Sequence, residues 1–182
     1  MPKNALILLA NGFEEIEAVS PIDLLRRAEV DVTVASCSTK TLVEGRSGIL
    51  IQSDCILDEV KDKEFDLLVL PGGPAVFKLR KDKSILKLIQ KYYEERKWIG
   101  AICAAPILLL DSNILGNSKY TAHVSMIGDL PALIRDQEVV RDGTIITSSG
   151  AGTAVAFGLA LIEALEGRNK AKETADSIHA PF

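Results

Sequence analysis

Five short apolar runs constrain the fold of this chain more than any other feature. They are Ala5 to Ala10, Val32 to Ser36, Phe65 to Leu70, Trp98 to Ile102 and Thr144 to Thr147. Each is too short for an ordinary helix and lacks the polar alternation of a half-exposed strand, which suits strands covered on both faces of a parallel sheet. Longer segments of helical character separate them. Glu14 to Ala28 follows the first run, Lys83 to Arg96 follows the third, and Gly152 to Leu165 is apolar almost all round, as a deeply buried helix should be. Thr41 to Asp54 has β-forming flanks around Gly45 to Gly48 and predicts an antiparallel hairpin. This order predicts a doubly wound α/β sandwich, its sheet mainly parallel with helices on both faces. No repeat or Pro/Gly/Ser-rich linker interrupts the pattern, so residues 1–182 read as one domain.

Composition narrows the function classes. An apolar content of 47% over 182 residues supports a substantial core and excludes a disordered chain. With 21 Lys+Arg against 25 Asp+Glu, the net charge of -4 lacks the basic footprint of a nucleic-acid binder. No apolar run approaches the roughly 18–20 residues needed to cross a bilayer, and the acidic Glu14 and Glu15 break any resemblance to a secretory leader. Cys37, Cys55 and Cys103 are odd in number, and with His123 and His179 they form no metal-ligand spacing. The expectation is a protein of a reducing compartment, the cytoplasm, without metal or other cofactor.

In a doubly wound sheet, ligands collect outside the carboxyl ends of the strands, and three segments fall there. Cys103 ends one strand, and Ala104-Ala105-Pro106 opens a helix behind it. A sulfur at that turn lies near the helix amino end, whose partial positive charge favours the thiolate. A free cysteine is also often a small buried hydrophobe, which is the reading for Cys37 and Cys55. Leu70 to Pro74 (L-P-G-G-P) ends another strand, where Gly72 and Gly73 let the backbone approach a ligand. The amides of Gly73 and Ala104 then become a candidate oxyanion site. Of the acidic residues opening the first helix, Glu17 shares a stripe with Pro21, Leu24 and Ala28 that should face the sheet, while Glu15 projects nearly opposite. A glutamate on a packed face has a raised pKa and can carry a proton at neutral pH.

E-E-I-E at Glu14, D-L-L-V-L-P-G-G-P at Asp66, A-I-C-A-A-P at Ala101 and T-S-S-G-A-G-T at Thr147 occur in that order. Together they resemble the ThiJ/PfpI superfamily, in the branch of the parkinsonism-associated protein deglycase and its bacterial relatives. The resemblance covers nearly the whole chain and implies a flavodoxin-like fold. It also implies a nucleophilic Cys103, a carboxyl partner at Glu17, an oxyanion pocket at Gly73 and Ala104, and a pocket histidine at His123. Several positions depart from the branch. Ala104 stands where peptidase-like members carry His, removing an adjacent general base. Ser149, Ala151 and Ala105 replace the usual Arg, Pro and Gly, and the extra terminal helix of animal members has no counterpart after H-A-P-F.

The resemblance implies a cofactor-independent thiol enzyme acting on methylglyoxal-type α-oxoaldehydes or their early glycation adducts, assembled as a homodimer with the first helix near the interface. A second reading is a redox sensor or holdase chaperone in which Cys103 oxidises beside a protonated Glu17. A third, amidase or peptidase chemistry, is disfavoured by Ala104.

Overall fold

All five apolar runs end at or just before small residues, glycine or proline, and each becomes a strand of one sheet. The computed structural model describes residues 2–182. In chain order its elements are β1 (Asn4–Leu9), α1 (Glu15–Arg27), β2 (Asp31–Ser36), β3 (Leu42–Glu44), β4 (Leu50–Gln52) and β5 (Cys55–Ile56). There follow β6 (Leu67–Leu70), α2 (Val76–Leu79), α3 (Lys83–Glu94), β7 (Trp98–Ile102), α4 (Pro106–Asp111), β8 (Val139–Asp142), β9 (Ile145–Ser148), α5 (Ala154–Glu166) and α6 (Arg168–Ser177). The seven-stranded sheet has the order β5-β2-β1-β6-β7-β9-β8. All pairings are parallel except that of β8 with β9. The central strands β2-β1-β6-β7-β9 follow the flavodoxin-like order, second-first-third-fourth-fifth by appearance in the chain.

The absence of polar alternation has its cause in the two layers. On β1, Leu6 and Leu8 join a core shared with Ile85, Ile89 and Leu108, while Ala5, Ile7 and Leu9 join a core with Leu24, Phe157 and Ile162. Successive side chains point to opposite faces, so a strand buried on both faces must be apolar throughout. α3 and α4 cover one face, and α1, α5 and α6 the other. The backbones of α1 and α5 approach closely at Gly158, where a Cβ would lie 2.6 Å from Leu24 Cδ1 and 3.4 Å from Pro21 Cα. That contact fixes the rotation of α1, and with it the direction of Glu17.

The hairpin forms as expected and stands apart from the main sheet, with β3 and β4 antiparallel. It leans on the end of β1: the Gly12 amide donates to Glu44 O at 2.8 Å, and the Arg46 amide to Phe13 O at 2.8 Å. Four elements escape the sequence pattern, the first being the single turn α2 just beyond Pro71–Pro74. β5 is a two-residue edge strand, and β8 carries the polar pair Arg141-Asp142 at the opposite edge. α6 buries only the small residues Ala171, Thr174 and Ala175, leaving no apolar stripe to read. The buried closing helix begins at Ala154 rather than Gly152, because Ala151–Thr153 forms a separate 3-10 turn. No helix among the described residues is long and apolar enough to cross a membrane.

Candidate active site

Cys103 is the first residue beyond β7, and its backbone adopts φ +64°. A non-glycine residue in this left-handed region is uncommon and persists where the surroundings over-determine it. Two hydrogen bonds do so. The Cys103 amide donates to Ser148 O at the end of β9, and Cys103 O accepts from the His123 amide, both at 2.9 Å. Pro106 occupies the start of α4, as its missing amide hydrogen allows, and the chain turns sharply between strand and helix. The half-buried side chain projects beyond the sheet end.

Glu17 meets it from the first turn of α1. Its amide donates to Glu14 Oε2 at 2.8 Å, an N-cap bond that anchors the turn. Its side chain is buried, facing inward with Pro21 and Leu24 as the helical stripe predicts. Oε2 accepts from the Gly72 amide at 2.9 Å, and the carboxyl hydrogen-bonds the Cys103 side chain. Gly72 is required by contact: a Cβ there would sit 2.4 Å from Glu17 Oε2 and 2.7 Å from Cys103 Cβ. Gly73 has φ +91°, and a Cβ would lie 2.5 Å from Gly12 O, so a side chain is excluded there by strain and space alike. The backbone N–H groups of Ala104 and Gly73 both donate toward the Cys103 sulfur. The carboxyl, the thiol and two amides thus converge at the ends of β6 and β7.

Burial dominates the electrostatics. It raises the Glu17 carboxyl to about 7, with the Glu14 charge adding and the Cys103, Gly72 and Arg46 groups opposing. Burial also pushes the Cys103 thiol up to about 12, reinforced by the Glu17 carboxylate and opposed by the Ala104 and Gly73 amides. The helix amino end behind Cys103 therefore does not by itself produce a thiolate, contrary to the sequence reading. Two anions in one desolvated pocket repel, so the pair titrates as a unit, holding two protons below about pH 7 and one above it. Either placement of that one proton leaves a single anion in the pocket, and when it sits on the carboxyl, Glu17 is a donor to the thiolate.

His123 reaches the site through its backbone bond to Cys103, and its ring is exposed. Nδ1 accepts from the Ser125 amide at 3.2 Å and lies 2.8 Å from Ser125 Oγ, so Nε2 is the nitrogen free for other partners. A Cβ built on Gly150 would stand 3.5 Å from the His123 ring and 4.0 Å from Glu17 Oε1, which places Gly150 between the two side chains. His123 also lines a cavity of about 520 Å³ with Val124, Arg135, Ser149, Gly150 and Thr153.

Glu15 corrects the helical-wheel expectation. It is buried rather than turned away, and Oε1 accepts from the Ser47 amide at 2.7 Å. A Cβ on Gly45 would lie 2.4 Å from that oxygen. Glu15 thereby fastens the hairpin across the end of α1, bringing the Arg46 charge within the field of Glu17. The run Gly45-Arg46-Ser47-Gly48 was a turn signal in the sequence, and nothing in it pointed to Glu17. Among the described residues, no group of three His, Cys, Asp or Glu side chains is arranged to hold a metal ion.

The family model described as DJ-1/PfpI family matches residues 3–164. The chain is 39% identical to Protein DJ-1 homolog A of Arabidopsis thaliana over 178 residues, covering 95% of this chain and 45% of that protein, so it spans less than half of that relative's length. It is 37% identical over 172 residues to glutathione-independent glyoxalase DJR-1.2 of Caenorhabditis elegans, covering 92% of this chain and 91% of that protein. The crystal structure of Drosophila melanogaster DJ-1beta superposes with a TM-score of 0.97 at 34% identity, covering 100% of both chains. With the flavodoxin-like strand order and the four ordered motifs, these likenesses make the chain a member of the DJ-1/PfpI family.

Proposed function

We propose that this protein is a glutathione-independent glyoxalase that converts methylglyoxal-type α-oxoaldehydes to 2-hydroxy acids and releases the same carbonyl from early glycation adducts. The observation that carries this reading is the convergence of the Glu17 carboxyl, the Cys103 thiol and the amides of Gly73 and Ala104 at one point beyond the ends of β6 and β7. The name of the Caenorhabditis elegans relative supports the reaction class. With Glu17 protonated, the Cys103 thiolate adds to the aldehyde carbon, and the new oxyanion takes its proton from Glu17 to give a hemithioacetal. The Glu17 carboxylate then removes the hydrogen on that carbon, forming an enediolate, and returns the proton to the neighbouring carbon while the hemithioacetal hydroxyl proton passes to the neighbouring oxygen. The product is a Cys103 thioester of the hydroxy acid. Water cleaves the thioester, releasing the acid and restoring the thiol. The Gly73 and Ala104 amides hold the oxygen that gains charge at each addition.

A carboxyl near pH 7 suits this work because it accepts and donates at similar cost. No histidine follows Cys103, so the proton carrier is Glu17, and His123 lines the adjoining cavity. The test is lactate formation from methylglyoxal by purified protein without glutathione, compared with Cys103→Ser. Lactate from wild type alone is the expected result, and equal lactate from both proteins would sink the proposal.

The assembly belongs to the same reading. Ile16 and Val19 on α1 and Ile49 and Leu50 at the hairpin are exposed, with Ile16 at 54% and Leu50 at 58%. Apolar side chains on two neighbouring elements suit a homodimer contact near the site. Sedimentation at micromolar concentration tests it: a monomer in wild type excludes the dimer, and a dimer that Ile16→Lys dissociates supports it. Three free cysteines and a thiol that must stay reduced fit a cytoplasmic setting.

A further inference from the structure

The cavity beside His123 is larger than the proposed small aldehyde requires. Its volume of about 520 Å³ lies within the range of pockets that hold drug-sized ligands, whereas methylglyoxal has a three-carbon skeleton. The cavity adjoins the reacting groups through two residues of its lining. Gly150, in its wall, separates His123 from Glu17, and the His123 amide is bonded to Cys103 O.

Its lining is charged on one side only. Arg135 contributes a guanidinium, Ser149 and Thr153 contribute hydroxyls, and no carboxylate lines it. Among the described residues Arg135 forms no ion pair, although eleven such pairs occupy other charged side chains. Its chain neighbour Asp136 does not line the cavity, and the Glu138 side chain belongs to a different groove with Val139 and Phe182. An unpaired guanidinium facing a cavity that carries hydroxyl donors is matched by a ligand carboxylate or phosphate.

We propose that Arg135 is a specificity-determining residue that selects α-oxoaldehydes and glycation adducts bearing an anionic group beyond the reacting carbonyl. This rests on the thiol chemistry proposed above, with the carbonyl at Cys103 and the anionic tail extending past His123. The shared chemistry of the ligand is a carboxylate or phosphate tail, and separate acid and phosphate probes distinguish the two.

The experiment compares 4,5-dioxopentanoate with its methyl ester, which keeps the α-oxoaldehyde and removes the charge. Wild type should favour the acid by about tenfold in kcat/KM, through KM, the discrimination expected of one charge-assisted hydrogen bond. Arg135→Gln should bring the ratio near one, and Arg135→Lys should restore much of it. The ester arm reports any loss of fold or thiol reactivity, so the ratio isolates the charge. A second measurement is independent of turnover: the rate at which Cys103 is labelled by 4-maleimidobutanoate relative to its methyl ester, read by peptide mass. If wild type turns over neither aldehyde, the glyoxalase reading fails, and the labelling ratio still decides the role of Arg135. Equal ratios in wild type and Arg135→Gln, by turnover or by labelling, overturn the proposal. A phosphate-tailed maleimide favoured over the carboxylate one assigns the phosphate as the preferred anion.

Discussion

Cys37 and Cys103 occupy matching positions in the fold and differ in chemistry. Each is the first residue beyond a parallel strand, Cys37 after β2 and Cys103 after β7. Both are half-buried by residue exposure, and burial pushes each thiol up to about 12. Their neighbours differ. Beyond burial, only the charge of Asp82 acts on Cys37, and no donor to its sulfur opposes the rise. Cys103 has the Glu17 carboxyl and the amides of Ala104 and Gly73, held there by a positive φ that Cys37 lacks. A strand-end position and a desolvated sulfur are therefore insufficient. What differs is a neighbouring carboxyl, and it comes from a third element, α1.

Substitutions at four positions sharpen or break this contrast. The largest effect belongs to Cys103→Ser, which should abolish turnover, a loss of about 10³-fold or more, because the attacking atom is gone. Iodoacetamide at neutral pH should modify Cys103 ahead of Cys37 and Cys55, and faster labelling of Cys37 would erase the distinction drawn from the neighbours.

Next comes Glu17→Gln, expected to lower kcat by about 10²-fold while the protein stays folded, since the amide cannot shuttle a proton. Wild-type kcat/KM should rise with pH through about 7, as the pair passes from two protons to one, and the variant should lack that limb. The stability dependence has its own sign. A carboxyl raised from 4.5 to about 7 binds more protons folded than unfolded, so its contribution is full below pH 4.5 and lost as pH rises through 7. Thermal melts from pH 4 to 8 should therefore fall for wild type relative to Glu17→Gln. Glu17→Leu should lower the thiol in an absorbance titration, because the carboxylate that reinforces its rise is gone, and an unchanged titration would remove Glu17 from the mechanism.

A smaller effect is expected of Gly72→Ala. Its methyl would press on the Glu17 carboxyl and the Cys103 Cβ, displacing the pair without removing either group. Overpacking of this kind costs about 1–3 kcal/mol in stability, and turnover should drop about tenfold as the geometry loosens. Wild-type kinetics in this variant would show that the close approach at Gly72 does not matter. The smallest effect is Cys37→Ala, which should keep turnover within about twofold while losing roughly 1 kcal/mol from the small volume removed.

The sequence resolved these features unevenly. The central strands were readable because burial on both faces leaves continuous apolar runs, and their ends were marked by Pro71-Gly72-Gly73 and by Ala104-Ala105-Pro106. Glu17 was readable as an inward residue of α1 because the helical stripe with Pro21 and Leu24 is local. Glu15 was misplaced by the same reasoning, since the wheel knows only the helix, and the hairpin that buries Glu15 lies 32 residues away at Ser47. α6 was invisible because a helix that packs through Ala171, Thr174 and Ala175 carries no hydrophobic period.

Local pattern in the sequence alone thus determined the layered fold, the strand-end turns and the isolation of Cys103 at one of them, since each depends on residues within a few positions of one another. Tertiary structure decided that Glu17, 55 positions before Gly72, would accept its amide and hydrogen-bond the Cys103 side chain. It also decided that Arg46 would lie in the field of Glu17 and that Arg135 would face the cavity unpaired. Those outcomes depend on desolvation and distance between segments remote in the chain, and a pKa or a pocket exists only once those segments have packed together.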